Sequence, residues 1–159
     1  MATIIKPPKP LPPPGAMPSV FLAGSIDMGR AEPWQVALEH ALAGVDVLVF
    51  NPRRDEWDAS WAQSITNPKF REQVEWELVA QEQATLIAMY FAPQTQAPVT
   101  LLELGLFARS GKLIVCCPDG FWRKGNIEVV CSYYEVPLVN TIEELIARVK
   151  STVSSESWF

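Results

Sequence analysis

Glu103 is the sole charged side chain between Pro98 and Ala108, a stretch that reads Pro98-Val99-Thr100-Leu101-Leu102-Glu103-Leu104-Gly105-Leu106. Four leucines and a valine around a carboxylate make its charged form costly to hold. A carboxyl in such surroundings is a candidate nucleophile or acid/base group. The plainer reading is a helix glutamate paired with a nearby cation such as Arg109. A second acid, Glu77, lies in Phe70-Arg71-Glu72-Gln73-Val74-Glu75-Trp76-Glu77-Leu78, where Gln73 shares its helix face by four-residue spacing. Apolar residues follow Glu77, so an inward orientation competes with a solvated one.

Two loops add binding chemistry. Gly24-Ser25-Ile26-Asp27-Met28-Gly29-Arg30 sets a hydroxyl between glycines, a turn that can hold a sugar or phosphate against backbone amides. It lacks the three-glycine spacing of a dinucleotide site. Asn51-Pro52-Arg53-Arg54-Asp55-Glu56-Trp57-Asp58-Ala59-Ser60-Trp61 mixes indoles with amide, guanidinium and carboxylate groups. Indoles stack on a flat heteroaromatic ring while the polar groups read its edge. A surface loop with its tryptophans folded back on the body is the equal alternative. His40 is the single histidine, so a Ser-His-Asp relay or a histidine-rich metal site has little material. Carboxylate chemistry remains, with no metal and no organic cofactor expected.

These groups need a scaffold, and the hydrophobic pattern supplies one. Apolar runs at Ser19–Ala23, Val45–Phe50, Ala84–Phe91, Lys112–Cys117 and Val136–Val139 predict five strands. Helices are predicted over Glu32–Ala43, Phe70–Gln83, 99–110, Asn126–Tyr134 and Thr141–Lys150. Trp34, Leu38, Ala41 and Leu42 form the apolar face of the first, and Val74, Leu78 and Val79 that of the second. Thr141 or Asn140 caps the last, with Glu143 and Glu144 in its first turn. Strands alternating with helices imply an α/β fold: a single doubly wound domain, flavodoxin-like or Rossmann-like, whose five-stranded parallel sheet carries helices on both faces. Ligands of such sheets gather beyond the strand C-termini, where the loops from Gly24, Asn51 and Phe91 project.

Composition narrows the class. The chain has 159 residues, 48% of them hydrophobic, suited to one domain with a full core. Residues 1–17 carry a proline cluster and read as an extended, flexible tail. Residues 18–150 form the domain, and 151–159 a polar C-terminal tail ending in Trp158 and Phe159. The net charge of −5 disfavours binding to a nucleic-acid backbone. No run of 18 apolar residues suggests a membrane span, and no apolar core of a signal peptide precedes the domain. Cys116, Cys117 and Cys131 fit no metal or redox spacing; Cys116 and Cys117, in an apolar strand, read as reduced packing residues, with the cytoplasm as the natural compartment.

Taken together, Phe21-Leu22-Ala23-Gly24-Ser25-Ile26, the acid at Glu77, Glu103-Leu104-Gly105 with Ala108, Gly111-Lys112 before an apolar strand, and Gly125-Asn126-Ile127 resemble the nucleoside 2-deoxyribosyltransferase family over residues 19–140. The Gly-Ser-Ile turn and Asn51-Pro52-Arg53-Arg54 resemble its second, shorter branch. The resemblance implies that Glu103 attacks C1′ of deoxyribose, that Glu77 works on the base as proton donor, and that Asn126 completes a neighbouring subunit's site. It implies deoxyribonucleosides and free nucleobases as partners and a homo-oligomer, either a dimer or a hexamer built of dimers. Gly24, Ser25, Ile26, Asn51, Asp55, Trp57 and Asp58 are the expected substrate-binding residues. Phe21 stands where the family has a tyrosine that contacts the nucleophile, so Glu103 needs another orienting group, with Tyr90 or Ser25 as candidates. Gln94, Thr95, Gln96 and Ala97 replace a loop containing a family aspartate, which shifts base recognition to amides or to the Asn51–Trp61 loop. Two alternatives stay open: an N-glycosidase acting on deoxynucleosides or their 5′-monophosphates, with the Gly29-Arg30 turn binding phosphate, and a non-catalytic nucleotide-binding module.

Overall fold

The structure, a computed structural model, describes residues 1–24, 33–55 and 58–155. Its centre is an all-parallel sheet of six strands, β1 (Thr3–Ile5), β2 (Ser19–Gly24), β3 (Leu48–Phe50), β4 (Leu86–Tyr90), β5 (Leu113–Cys116) and β6 (Leu138–Val139). They lie in the order β1-β3-β2-β4-β5-β6. The inner strands β2 and β4 are buried along their length except for Gly24 at the end of β2, which explains their unbroken apolar runs. Their register pairs Phe21 with Ile87 and Gly24 with Tyr90.

Five helices connect and cover the strands: α1 (Trp34–Leu42), α2 (Pro68–Gln83), α3 (Pro98–Phe107), α4 (Lys124–Tyr133) and α5 (Ile142–Ser154). Local chemistry starts several of them. Asn67 caps α2 by accepting from the Lys69 amide, with Pro68 in its first turn. Thr141 caps α5 by accepting from the Glu144 amide at 3.1 Å, beside Glu143 and Glu144.

Right-handed crossovers sort the helices by direction of travel. The step from β2 to β3 runs one way along the sheet, and the later steps run the other way. One core accordingly joins Trp34, Leu38 and Leu42 of α1 to Leu145, Val149 and Val153 of α5. The opposite core joins Ala80, Leu104, Ile127 and Cys131 from α2, α3 and α4. The reversal of direction beside β2 marks the switch point, and ligands of such sheets gather past the C-terminal ends of the strands there, β2 and β4.

Three expectations change. The sheet has six strands, not five, because Thr3–Ile5 pairs in parallel with Leu48–Phe50 at one edge. Three residues are too few for a periodic signal, and the prolines begin only after the strand ends. The arm is pinned further along, where the Trp76 indole N–H donates to the Lys9 carbonyl at 2.8 Å. At the other end α5 runs on to Ser154 and buries Val153, past the expected stop at Lys150. Most consequential is α2. Its expected apolar face is turned outward at Leu78 and Val79, 37% and 43% exposed, while Gln73, Ala80 and Gln81 face the core. No helix among the described residues is long and apolar enough to cross a membrane.

Candidate active site

α2 and α3 lie on the same face of the sheet; α3 buries the Glu103 carboxyl, and α2 brings a half-buried carboxyl, Glu77, near it. Glu103, in the second turn of α3, is only 8% exposed. Its Oε2 accepts from the Gln81 amide nitrogen at 2.7 Å. That nitrogen also donates to the Glu77 main-chain carbonyl at 3.1 Å. One helical turn earlier, the Gln73 amide nitrogen donates to Glu77 Oε1 at 3.1 Å and to the Pro52 carbonyl at 2.8 Å. Gln73, Glu77 and Gln81 recur at four-residue intervals and form one inward stripe. The stripe ties the loop after β3 to both acids.

Burial dominates the electrostatics. Desolvation raises Glu103 from 4.5 to about 8, with the nearby Glu77 charge adding to the rise and the Gln81 bond opposing it. Desolvation raises Glu77 to about 7, opposed by the bond from Gln73. The Glu77 charge opposes ionisation of Glu103, so the two titrations are linked, and both groups hold their protons well above the usual carboxylate range. One ionised carboxylate beside one carboxylic acid is the equipment of a retaining displacement at a glycosidic carbon.

The approach to α3 is strained. Gln94 and Ala97 both take left-handed backbone conformations, φ 67° and 46°, which residues with a Cβ adopt at a cost. Thr95 is buried, and its hydroxyl donates to the Ala92 carbonyl at 2.8 Å. Ala97 then leads directly into Pro98 and the helix that carries Glu103.

The other expected residues fall into three groups. Gly24 stands at the crevice as the last residue of β2. Its missing Cβ makes room for the fold itself: a Cβ there would lie 2.4 Å from the Trp34 ring and 2.9 Å from the Tyr90 carbonyl. Asn51 is buried and engaged at both ends, donating to Glu39 at 2.6 Å and accepting from the Arg53 amide at 3.0 Å. Asp55 is exposed and paired with Lys6 at 3.2 Å. Asp58 is exposed, its acidity increased by hydrogen bonds from the Ser60 hydroxyl and amide. Asn126 is exposed on the first turn of α4. Ser25, Ile26 and Trp57 lie outside the described residues, as do Gly29 and Arg30.

Arg109 is not a partner of Glu103: it is exposed and donates to the Tyr134 hydroxyl at 3.2 Å. His40 is exposed. Cys116, Cys117 and Cys131 are buried free thiols, which desolvation pushes up to about 12, 11 and 11. Among the described residues, no group of three or more histidines, cysteines or acids is gathered to hold a metal ion.

Sequence reasoning missed Gln81 altogether. The available signal was the Gln73-Glu77-Gln81 spacing, which on a helix of low hydrophobicity reads as a solvated face. It read Arg54 as binding chemistry of an exposed loop, whereas its buried guanidinium reaches Glu72 at 3.0 Å and lies 5.4 Å from the Trp61 ring, fastening that loop to α2.

Comparison with known proteins adds to this geometry. The family described as nucleoside 2-deoxyribosyltransferase like matches residues 17–121, which include both acids. A conserved protein from Enterococcus faecalis V583, known from a crystal structure, has a similar fold. The match has a TM-score of 0.59 at 13% identity and covers 86% of this chain and 99% of that one. No curated protein matches the sequence.

Proposed function

We propose a function from the premise that this chain belongs to the nucleoside 2-deoxyribosyltransferase-like family: it exchanges the base of 2′-deoxyribonucleosides through a covalent deoxyribosyl-glutamate. The observation that carries the reading is the pair of carboxyls, half-buried Glu77 on α2 and buried Glu103 on α3, each held by its own glutamine amide.

In the first half-reaction, a carboxylate oxygen of Glu103 bonds to C1′ as the C1′–N bond breaks. The bonding electrons leave with the base, and Glu77 delivers a proton to the base's ring nitrogen. In the second, Glu77 removes the proton of an incoming base, whose nitrogen attacks C1′ and expels the Glu103 carboxylate. Two inversions leave the configuration retained. The reaction needs the pair's one proton on Glu77; in the resting protein the higher value is that of Glu103, so the proton passes from Glu103 to Glu77 before the nucleophile attacks.

The functional form is a homo-oligomer whose sites are completed by Asn126 from a neighbouring subunit. Support comes from the outer surface of α3 and α4. Val99, Leu102 and Leu106 are 59%, 64% and 54% exposed, and Val129 and Tyr133 are 69% and 78% exposed. Asn126 lies three and seven residues before the last two, on the same helical face, and exposed apolar residues of this kind mark association surfaces. Mixing inactive Glu103→Gln with inactive Asn126→Ala protein should restore activity in mixed oligomers.

The decisive assay incubates deoxyinosine with free adenine. New deoxyadenosine supports base exchange, while free deoxyribose without new nucleoside indicates hydrolysis instead. Intact-mass analysis after reaction with a 2-fluoro-2-deoxy nucleoside should find the adduct on Glu103. An adduct on a different residue would overturn the assignment.

A further inference from the structure

We propose that Gln81 is the positioning residue for Glu103, fixing which carboxylate oxygen attacks and assisting its ionisation. The proposal rests on the reading of Glu103 as nucleophile and goes beyond it by assigning the orienting role that Phe21, lacking a hydroxyl, cannot fill.

Gln81 is 0% exposed, on the inward face of α2. Its amide nitrogen has two acceptors, the Glu77 carbonyl at 3.1 Å and Glu103 Oε2 at 2.7 Å. Reversing the amide would set its oxygen against both, so the orientation is determined by its partners. Oε2 of Glu103 carries that hydrogen bond, which draws off electron density and leaves Oε1 the more nucleophilic oxygen. A neutral donor on a buried carboxylate favours the charged form, the form a nucleophile needs.

The surroundings make this bond important. Among the described residues, Glu77 on α2 is the charged group acting on Glu103, and it opposes ionisation. Arg109, at the end of α3, is turned to Tyr134. Lys112, just before β5, donates to the main-chain carbonyls of Gln81 and Glu82 at 2.8 Å each. It fastens the end of α2 and with it the backbone of Gln81. The Gln81 side-chain oxygen, Oε1, is buried with no hydrogen-bond partner among the described residues. That unmet acceptor lies beside the site, where packing alone would favour an apolar residue.

Gln81→Met preserves length and shape while removing the donor. With circular dichroism unchanged, the Glu103 carboxyl, followed by carbon-13 NMR in the resting protein, should titrate at higher pH than in the wild type. The acid limb of the rate profile should move up with it, and kcat should fall roughly 10- to 100-fold with KM nearly unchanged, the range for a lost hydrogen bond to a charged group. An unmoved Glu103 titration would overturn the proposal. The NMR readout needs no turnover, so it fails or holds independently of the proposed reaction. Should Gln81→Met not fold, the wild type still decides. The Gln81 side-chain amide protons must shift as Glu103 ionises, and signals that ignore that titration would equally overturn the assignment.

Discussion

Glu103→Gln should both abolish turnover and stabilise the protein, the stabilisation growing with pH. Burial raises this carboxyl from 4.5 to about 8. A carboxyl whose pKa is higher in the folded state contributes stability that is fully present below the unfolded pKa and is lost as pH rises through the folded one. Glutamine does not ionise and escapes that loss. At about 1.4 kcal/mol per pH unit, the variant gains under ~1 kcal/mol at pH 5, about 3 kcal/mol at pH 7 and at most about 5 kcal/mol above pH 8. Relaxation around the charge reduces these figures. Even half the gain is large against a total stability of roughly 5–15 kcal/mol. Urea denaturation of both proteins at pH 5, 7 and 8.5 provides the test: nearly coincident midpoints at pH 5 that separate steadily as pH rises. A separation independent of pH, or a wild type more stable at pH 8.5, would show that Glu103 carries no burial penalty. Base-exchange activity should meanwhile drop by several orders of magnitude, as for other covalent nucleophiles.

Wild-type activity should follow a bell in pH with its maximum between about 7 and 8, where the pair holds one proton. Glu77→Gln should lower the rate and remove the alkaline limb, and a retained limb would take the proton-donor role away from Glu77. Gly24→Ala should cost roughly 1–3 kcal/mol by overpacking, because the new methyl meets the Trp34 ring and the Tyr90 carbonyl; an unchanged urea midpoint would contradict that packing. Deleting residues 1–9 removes β1, the Met1–Asp46 ion pair and the Trp76 bond to Lys9. It exposes the edge of β3, so lower stability and a stronger tendency to aggregate are expected by thermal melts and light scattering.

How much was legible before folding depends on how local the cause was. β2 and β4 could be read because a strand buried on both faces must be apolar throughout. α5 could be read because Thr141, Glu143 and Glu144 announce its start. Glu103 stood out because a single acid among leucines is conspicuous. β1 was hidden: its three residues pair with β3, more than forty positions away in sequence. α2 was misread because Leu78 and Val79 follow the usual rule for an inward face, yet the interior at that point contains two carboxyls that need amide partners. Asn51 carried the right chemistry for a ligand contact, but Glu39, on α1, engages its amide.

The amino-acid order was enough to establish the alternating α/β pattern and to single out Glu103 as a candidate, because each follows from residue types in short windows. Only the folded chain brings Gln81 to Glu103, sets Glu77 near enough to oppose its charge, and links Glu77 through Gln73 to the loop after β3. Hydrogen bonds and Coulomb forces act over a few ångströms, and the groups concerned come from separate helices. Their acidity and their hydrogen-bond partners are properties of that convergence rather than of any one segment.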